Sequence, residues 1–410
     1  MRSIHTVFLS LFLLVVASPP VRAQKAPQRL TLASALDLAS RQNLDLIAAR
    51  AQRAVVLAGV RVAGERPNPA ANFAALRDTP HESLFFDQPV EIGPKRKDRI
   101  ELARQEGTLA ETDISSVERQ VRRSVRDAYF ALAHARAATA QQAGTLKLAE
   151  RLHDIAQARF DAGDVPQLEV TQAELGAARS RADWQVAQQQ EKVALSDLNA
   201  LLNEPAATNW DLGDAFAMLP PTMALDELLT RAGASDAEIL RIEQEAKVEE
   251  SRKRLLEAER IPNLGLQFGV DFNSPGPGGF QEGPRGQISM ELPIFSHNQG
   301  EIAQSEANQI ALGGQLTAAR RAADARVESA YFDLEARRTQ VQLYRDTLLP
   351  ASQQLEEMAE ESYRAGKANI LTVLGAQHDV QQVERDYLDS LLAVQSAFAQ
   401  LEEAVGAPLD

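Results

Sequence analysis

The chain is written twice. Ala128-Tyr129-Phe130-x-Leu132 recurs as Ala330-Tyr331-Phe332-x-Leu334, and Phe160-x-Ala162-Gly163 recurs as Tyr363-x-Ala365-Gly366. Phe86-Asp87-Gln88-Pro89-Val90 recurs as Met290-Glu291-Leu292-Pro293-Ile294. The offsets fall between 202 and 204 residues and keep one order along the chain. Such self-similarity means two copies of one structural unit. The 410 residues are therefore two repeats, 24–205 and 225–410, with 206–224 as a linker in the equatorial region between them. A duplicated unit suits a symmetric wall or tube better than an asymmetric catalytic cleft.

Each repeat reads in one order: shorter helices, a hairpin, two long helices. Thr31 to Arg41 and Asn43 to Glu65 carry helical patterning, with Asn43 suited to an N-cap. Leu225 to Ala232 and Ser235 to Glu259 match them, and Pro67 and Pro262 stop the pattern.

The hairpins are predicted at about 69–92 and about 263–295. Leu264, Leu266, Phe268, Val270 and Phe272 alternate with Gly265, Gln267, Gly269, Asp271 and Asn273. Ile288, Met290, Leu292 and Ile294 return the pattern, and Leu84, Phe86, Val90 and Ile92 repeat it against Ser83, Asp87 and Glu91. Period-two alternation gives one apolar and one polar face. A sheet half-buried on helices is one reading of it. No other apolar layer is left to cover the sheet, however, and strands of about nine to eleven residues have the length of tilted membrane strands. Four strands cannot close a barrel, for which about eight are needed, so a membrane reading requires oligomerisation. The second hairpin is longer, and its excess, Ser274-Pro275-Gly276-Pro277-Gly278-Gly279, reads as an exposed loop.

Long helical hairpins follow at about 96–202 and about 299–405. No proline lies between Pro94 and Pro166 or between Pro293 and Pro350. The helix from Lys97 to Asp161 is predicted to run for about 100 Å at about 1.5 Å per residue. Its inner stripe is Ile114, Val117, Val121, Val125, Ala128, Leu132 and Ala135; Leu312, Leu316, Ala319, Ala323, Val327, Ala330 and Leu334 repeat it. Spacings of three and four indicate coiled-coil packing. Pro350 marks a junction or kink, and Gly163 and Gly366 suit the turns that end the long helices.

Residues 1–23 have the parts of a secretory signal: Arg2, an apolar run from Val7 to Ala17, and a Val21-Arg22-Ala23 end. A net charge of −14 argues against nucleic acid as a partner. With no cysteine there are no disulfides or thiolate sites. Histidines at 5, 81, 134, 153, 297 and 378 form no helical ligand pair, so no metal site is predicted. No nucleophile motif, phosphate loop or nucleotide fingerprint is present, so neither catalysis nor a cofactor is predicted.

Signal, duplication, membrane-length hairpins and very long helices together resemble the outer-membrane efflux protein (TolC) family over essentially all of the mature chain. Gln88-Pro89-Val90-Glu91-Ile92-Gly93-Pro94-Lys95-Arg96 is similar to a string of its heavy-metal (CzcC-like) branch. The resemblance implies a mainly α fold with a membrane β-barrel: a homotrimer whose α-barrel of coiled-coil helices continues into a 12-stranded β-barrel. It implies a passive outer-membrane duct of a Gram-negative bacterium with a long periplasmic part. Its partners would be outer-membrane lipid, a periplasmic adaptor (membrane fusion) protein and an inner-membrane pump of the RND type. Heavy-metal cations are the first expectation for cargo and drugs or dyes the second.

In the family, acidic residues near the periplasmic tip constrict the pore. Glu169 stands at the first-copy position here, while Thr372 and Gly375 occupy the second-copy positions, which leaves one carboxylate ring. A glutamate favoured at a helix start is the alternative for Glu169. Asp87, Glu91 and Glu291 are expected on the polar strand face, lining the lower β-barrel. Adaptor contact is expected at the helical tips, around Arg159, Phe160, Gly163, Tyr363, Arg364, Gly366 and Lys367. Phe160 and Tyr363 fit equally well as staples of those turns. A periplasmic adaptor would also carry a long α-hairpin, but no Gly-rich lipoyl-like β segments flank it here. A secreted coiled coil would leave the amphipathic strands unexplained.

Overall fold

The computed structural model describes residues 28–75, 77–78, 80–213, 215–216, 219–276 and 279–409. The predicted signal at 1–23 lies outside them.

The first repeat opens with strand β1 (Gln28–Arg29) and helix α1 (Leu32–Gln42), which starts at a Thr31–Ser34 capping box. Helix α2 (Leu44–Ala63) follows, with the Asn43 side chain accepting from the Leu46 amide. Next come strands β2 (Ala70–Ala75) and β3 (Glu82–Val90), then α3 (Lys95–Asp161) and α4 (Gln167–Leu201). Helix α3 runs 67 residues without interruption, about 100 Å. Strand β4 (Trp210–Asp211) sits within the expected linker and pairs in parallel with β1.

The second repeat has α5 (Leu225–Ser235), α6 (Ala237–Glu259), β5 (Leu264–Gly276), β6 (Gly279–Met290) and α7 (Gln299–Leu343). A single π-helical turn, Tyr344–Leu348, separates α7 from α8 (Leu349–Arg364), and α9 (Ile370–Val405) completes the hairpin. Pro350 lies in the first turn of α8. A proline lacks the amide for its i−4 carbonyl and crowds that carbonyl, and the wider π turn absorbs both defects. Ser274, Pro275 and Gly276 extend the β5–β6 ladder beyond a bulge after Asp271, so the predicted loop is mostly paired strand.

Helices meet end to end at two corners. Asn43 Nδ2 donates to the Leu201 carbonyl at 2.9 Å, joining the end of α4 to the start of α2. Ser235 Oγ donates to the Val405 carbonyl at 2.7 Å, joining the end of α9 to the end of α5, at the turn into α6. Above these corners the helices stand in the order α2, α3, α6, α7, and below them in the order α4, α3, α9, α8. The main sheet follows the same logic, β2-β3-β5-β6, with every pair antiparallel. The chain is thus one strip of wall. Its edges are α2, β2 and α4 on one side and α7, β6 and α8 on the other.

Two clusters brace the wall at mid-height. Ala35 and Ala39 of α1 pack with Val121, Val125 and Tyr129 of α3, Leu202 and Trp210. Leu228 and Ala232 of α5 pack with Val327 and Leu334 of α7 and with Val394 and Phe398 of α9. Arg126 is buried between α3 and α9, its guanidinium 4.9 Å from the Phe398 ring centroid and 3.2 Å from Glu402.

Candidate functional site

The sheet carries two chemically distinct faces. Register sets Phe86 opposite Phe268, Leu84 opposite Val270 and Leu266 opposite Ile288. On this face Phe73, Leu84, Phe86, Phe268, Val270, Ile288 and Met290 are between 38 and 72% exposed. Among the described residues no helix packs over the sheet, which removes the reading of a sheet half-buried on helices. The opposite face holds Asp87, which accepts from Gln267 Nε2 at 3.3 Å, and Asp271, 3.5 Å from Arg285. Gly269 faces Phe85 on that side, where an added Cβ would lie 2.2 Å from the Leu84 carbonyl oxygen. Only glycine permits so close an approach of neighbouring strands.

Glu91 and Glu291 are not on this face. Both lie just past the paired strands, which end at Val90 and Met290. Glu91 is held by Arg99, whose Nη1 and Nη2 donate to its two oxygens at 2.6 and 3.1 Å. That bond keeps its carboxyl below the usual glutamate range. Arg99 also donates to the carbonyls of Ala63 at 2.8 Å and Glu65 at 3.2 Å, and Arg96 to that of Gly64 at 2.7 Å. Buried Lys95 donates to Asn263 Oδ1. Gly93 has φ +81°, and a Cβ there would meet Ile261 at 2.8 Å. The Glu91-to-Arg99 stretch therefore clamps strand β3, the open end of α2 and the start of α3 into one joint. Arg99 leaves no signature in the sequence: Glu91 lies eight residues away, off any helical pairing distance, and its other partners are backbone carbonyls.

At the other end of the long helices, Gly163 (φ +81°) and Gly366 (φ +71°) take the left-handed conformation of helix C-termini. Tyr363 is fully buried with Leu152, Ile370 and Val373. Its hydroxyl donates to Glu169 Oε2 at 3.3 Å, and the Arg159 guanidinium lies 4.8 Å from its ring centroid. Burial, then the Glu169 charge, raises the Tyr363 pKa. Tyr363 is accordingly a staple, not a surface contact, and Phe160 packs half-buried on Ala156, Val170 and Ala173. Arg364, Gly366 and Lys367 are exposed, with Arg364 bonded to Glu360 at 2.5 Å. Glu169 is partly buried against the second repeat through Tyr363. Exposed Thr372 shares the α9 cap with Asn369, and Gly375 faces open space. The structure gives these two no bond to Glu169.

Among the described residues, no group of three or more histidine, cysteine, aspartate or glutamate side chains is placed to hold a metal ion. No helix there is long and apolar enough to cross a membrane. The apolar sheet face is the surface left for lipid.

Residues 35–204 and 228–407 each match the family model described as outer membrane efflux protein. The chain belongs to that family. It is 26% identical to the cobalt-zinc-cadmium resistance protein CzcC of Cupriavidus metallidurans, over 94% of this chain and 92% of that one. It is also 26% identical to the probable efflux pump outer membrane protein TtgC of Pseudomonas putida, over 69% of this chain and 60% of that one. A membrane protein from Pseudomonas aeruginosa has the same fold, with a TM-score of 0.75, 20% identity and coverage of 92% and 93%. The protein is an outer-membrane efflux channel with a long periplasmic helical part, and the adaptor reading is not favoured. Its relatives are efflux channels rather than enzymes.

Proposed function

We propose that three copies close into one passive duct, a 12-stranded barrel continued by helices, exporting metal cations handed over by an adaptor and an RND-type pump. The observation that carries closure is where the unpartnered apolar side chains lie. Leu44, Ile47, Val55 and Val62 are exposed on α2, and Leu168, Leu175, Val186 and Val193 on α4. Ile310, Phe332 and Leu343 are exposed on α7, and Leu355 and Met358 on α8. These four helices are the two edges of the strip; Leu44 and Ile47, and Leu355 and Met358, are three apart, and Val55 and Val62, Leu168 and Leu175, and Val186 and Val193 are seven apart, spacings that coiled-coil seams use. Edge strands β2 and β6 carry open hydrogen-bonding rows that lipid cannot satisfy, which favours the same closure.

The cargo reading no longer rests on the Lys95-Arg96 string, since the joint accounts for those residues. It rests on end-to-end likeness to a cobalt-zinc-cadmium resistance protein. The drug reading rests on a relative matched over a smaller share of both chains. Glu169 in three copies is proposed as one carboxylate ring, with Asp87 biasing the barrel lumen toward cations; Glu169→Gln is expected to lower cation preference in bilayer conductance. Exposed Arg364 and Lys367 are proposed as adaptor contacts, flanked by the Arg159, Phe160 and Gly163 turn.

The deciding experiment is susceptibility of a strain lacking this protein, with complementation. Sensitivity to zinc, cobalt or cadmium alone supports metal export. Sensitivity confined to dyes, detergents and antibiotics keeps the duct and overturns the cargo.

A further inference from the structure

The two halves of the wall superpose through two fixed offsets. Asn43 and Asp236 cap α2 and α6, and Pro69 and Pro262 stand just before β2 and β5; both pairs lie 193 residues apart. Pro89 and Pro293 lie 204 apart, as do Lys95 and Gln299, the first residues of α3 and α7. The sheet obeys the same shifts. The pair Ala71–Phe86 falls on the pair Leu264–Met290, and Phe73–Leu84 falls on Leu266–Ile288. The junction inside the chain, β3 with β5 and α3 with α6, is therefore a template for the junction its edges leave open: β6 with another β2, and α7 with another α2.

Inside the chain β3 and β5 set Gln88 opposite Leu266 and Val90 opposite Leu264. Shifted by the two offsets, the same pairing sets Leu292 opposite Phe73 of a next copy and Ile294 opposite its Ala71. These are side chains that the single chain leaves bare, with Leu292 60%, Phe73 69% and Ile294 70% exposed. Strand β6 stops pairing at Met290 because β5 begins at Leu264, and a next β2 continues the ladder beyond it. The helical template is polar: Arg252 lies 4.0 Å from Glu106, and Gln244 Nε2 donates to Gln105 Oε1 at 2.9 Å. The shifted counterparts of Glu106 and Arg252 are Ile310 and Gly59. Ile310 is 78% exposed, and a Cβ added at Gly59 would meet no atom within 4 Å. An apolar knob thus stands where the internal junction has its acid, and bare backbone where it has its base. The flanking charges agree. On α2, Asp45 lies at the lower end and Arg61 at the upper; on α7, Arg321 lies below and Glu301 above. All four are exposed, and among the described residues none has an ion-pair partner. Laid antiparallel by the offsets, acid meets base at both ends.

We propose that a second copy of this chain docks on the β6–α7 edge in this one register: Phe73 of the next copy lies opposite Leu292, its Ala71 opposite Ile294, and Ile310 seats against its α2 between Val55 and Gly59. The register rests on the three-copy reading above and specifies the surface by which the copies meet. Docking extends β6 through residues 291–294 and carries Glu291 onto the polar face at the level of Asp87, its counterpart in the first repeat. The seam between copies is then apolar at its centre with charges at its ends, whereas the matching seam within the chain is built from an ion pair and a glutamine bond. Burial of Leu292, Ile294 and Ile310 drives the contact, and the flanking charges fix its direction.

The chain has no cysteine, so an introduced pair holds the only thiols present. Directly opposed strand residues bring their Cβ atoms close to disulfide reach, whereas diagonal neighbours two residues along do not. In outer membranes under oxidising conditions, Phe73→Cys with Leu292→Cys is expected to give about tenfold more covalent dimer and trimer than either slipped pair, Ala71→Cys or Ala75→Cys with Leu292→Cys. Ala71→Cys with Ile294→Cys repeats the test at a second point, which guards against one variant that misfolds, and Gly59→Cys with Ile310→Cys extends it to the helices. Equal or greater linkage in a slipped pair overturns the register. So does the absence of linkage at Phe73–Leu292 and Ala71–Ile294 alike in a preparation whose native mass is that of a trimer. A wild-type protein that forms no trimer counts against the three-copy duct itself, whereas a trimer linked at slipped positions counts against the register alone.

Discussion

The two repeats share an outline and differ at three corresponding places. At the joint below the strands, the first copy has Glu91 and Arg99 in a bidentate pair, and the second has Phe295 and Ala303. Midway down the hairpin, α3 passes straight through Gln141 to Thr145, where the second copy has a π turn and Pro350. At the corner where the lower helix meets the upper one, Asn203 (φ +54°) and Gly406 (φ +76°) both turn left-handed. Only Gly406 is crowded, since a Cβ there would lie 2.3 Å from the Ser235 carbonyl oxygen. Duplication has kept the turns and redistributed the stiffness: the first repeat is clamped at its joint, the second is pinned at its corner and broken in mid-helix.

The corner is the place to break that contrast most forcefully. Gly406→Asn puts the first-copy residue into the second-copy corner and is expected to cost about 3 kcal/mol, because backbone rather than a side-chain end must move. The reciprocal Asn203→Gly is expected to cost under about 1 kcal/mol. Chemical denaturation of both variants checks the difference, and equal losses would mean that the corner between α9 and the α5–α6 turn relaxes freely.

The joint comes next. Arg99→Ala removes a charged pair and two carbonyl bonds and is expected to cost about 2–3 kcal/mol. Ala303→Arg, which copies the first-repeat residue into the second, is expected to stay within about 0.5 kcal/mol because Phe295 offers no acceptor. The pair also has a pH signature of its own. Glu91 is depressed below its ordinary value, so its contribution is complete above the normal glutamate range and fades as pH falls through the lowered pKa. Acid should therefore loosen residues 63–66 and 91–99 in the wild type but not in Glu91→Gln, as read by hydrogen exchange.

What was legible beforehand follows from the range of each signal. Alternation in Leu264 to Phe272 and proline-free runs from Lys97 to Asp161 are local patterns, and they correctly marked strands and helices. Asn43 was legible as a cap because its partner is three residues away. Pro350 marked a place but not a form, since a kink and a π turn answer the same missing amide. Ser274 to Gly276 are paired strand although their composition is that of a loop, because glycine and proline content reports turn propensity while continued pairing depends on a bulge and a partner strand. Alternation places Glu91 and Glu291 on the strand face only if it is extended beyond the last paired residues, Val90 and Met290. The Glu169–Tyr363 bond joins positions 194 apart, and no local pattern carries it.

That bond offers the finest test of the comparison. Tyr363 corresponds to Phe160, so Tyr363→Phe makes the two tip turns alike at one atom. The ring stays in its cluster with Leu152 and Ile370, and Arg159 keeps its place over the ring face. What goes is one donor to a part-buried carboxylate, worth about 1 kcal/mol. If Tyr363 matters as a staple through its ring, the variant should lose about that much stability and keep its adaptor crosslinks at Arg364. Tyr363→Ala should lose about 3–5 kcal/mol by emptying the cluster. A Tyr363→Phe variant that loses crosslinking while its stability is unchanged would reassign the hydroxyl to adaptor contact. The second tip would then be specialised for docking, whereas the first, with Phe160 half-buried and no hydroxyl, would serve chiefly to close its own helices.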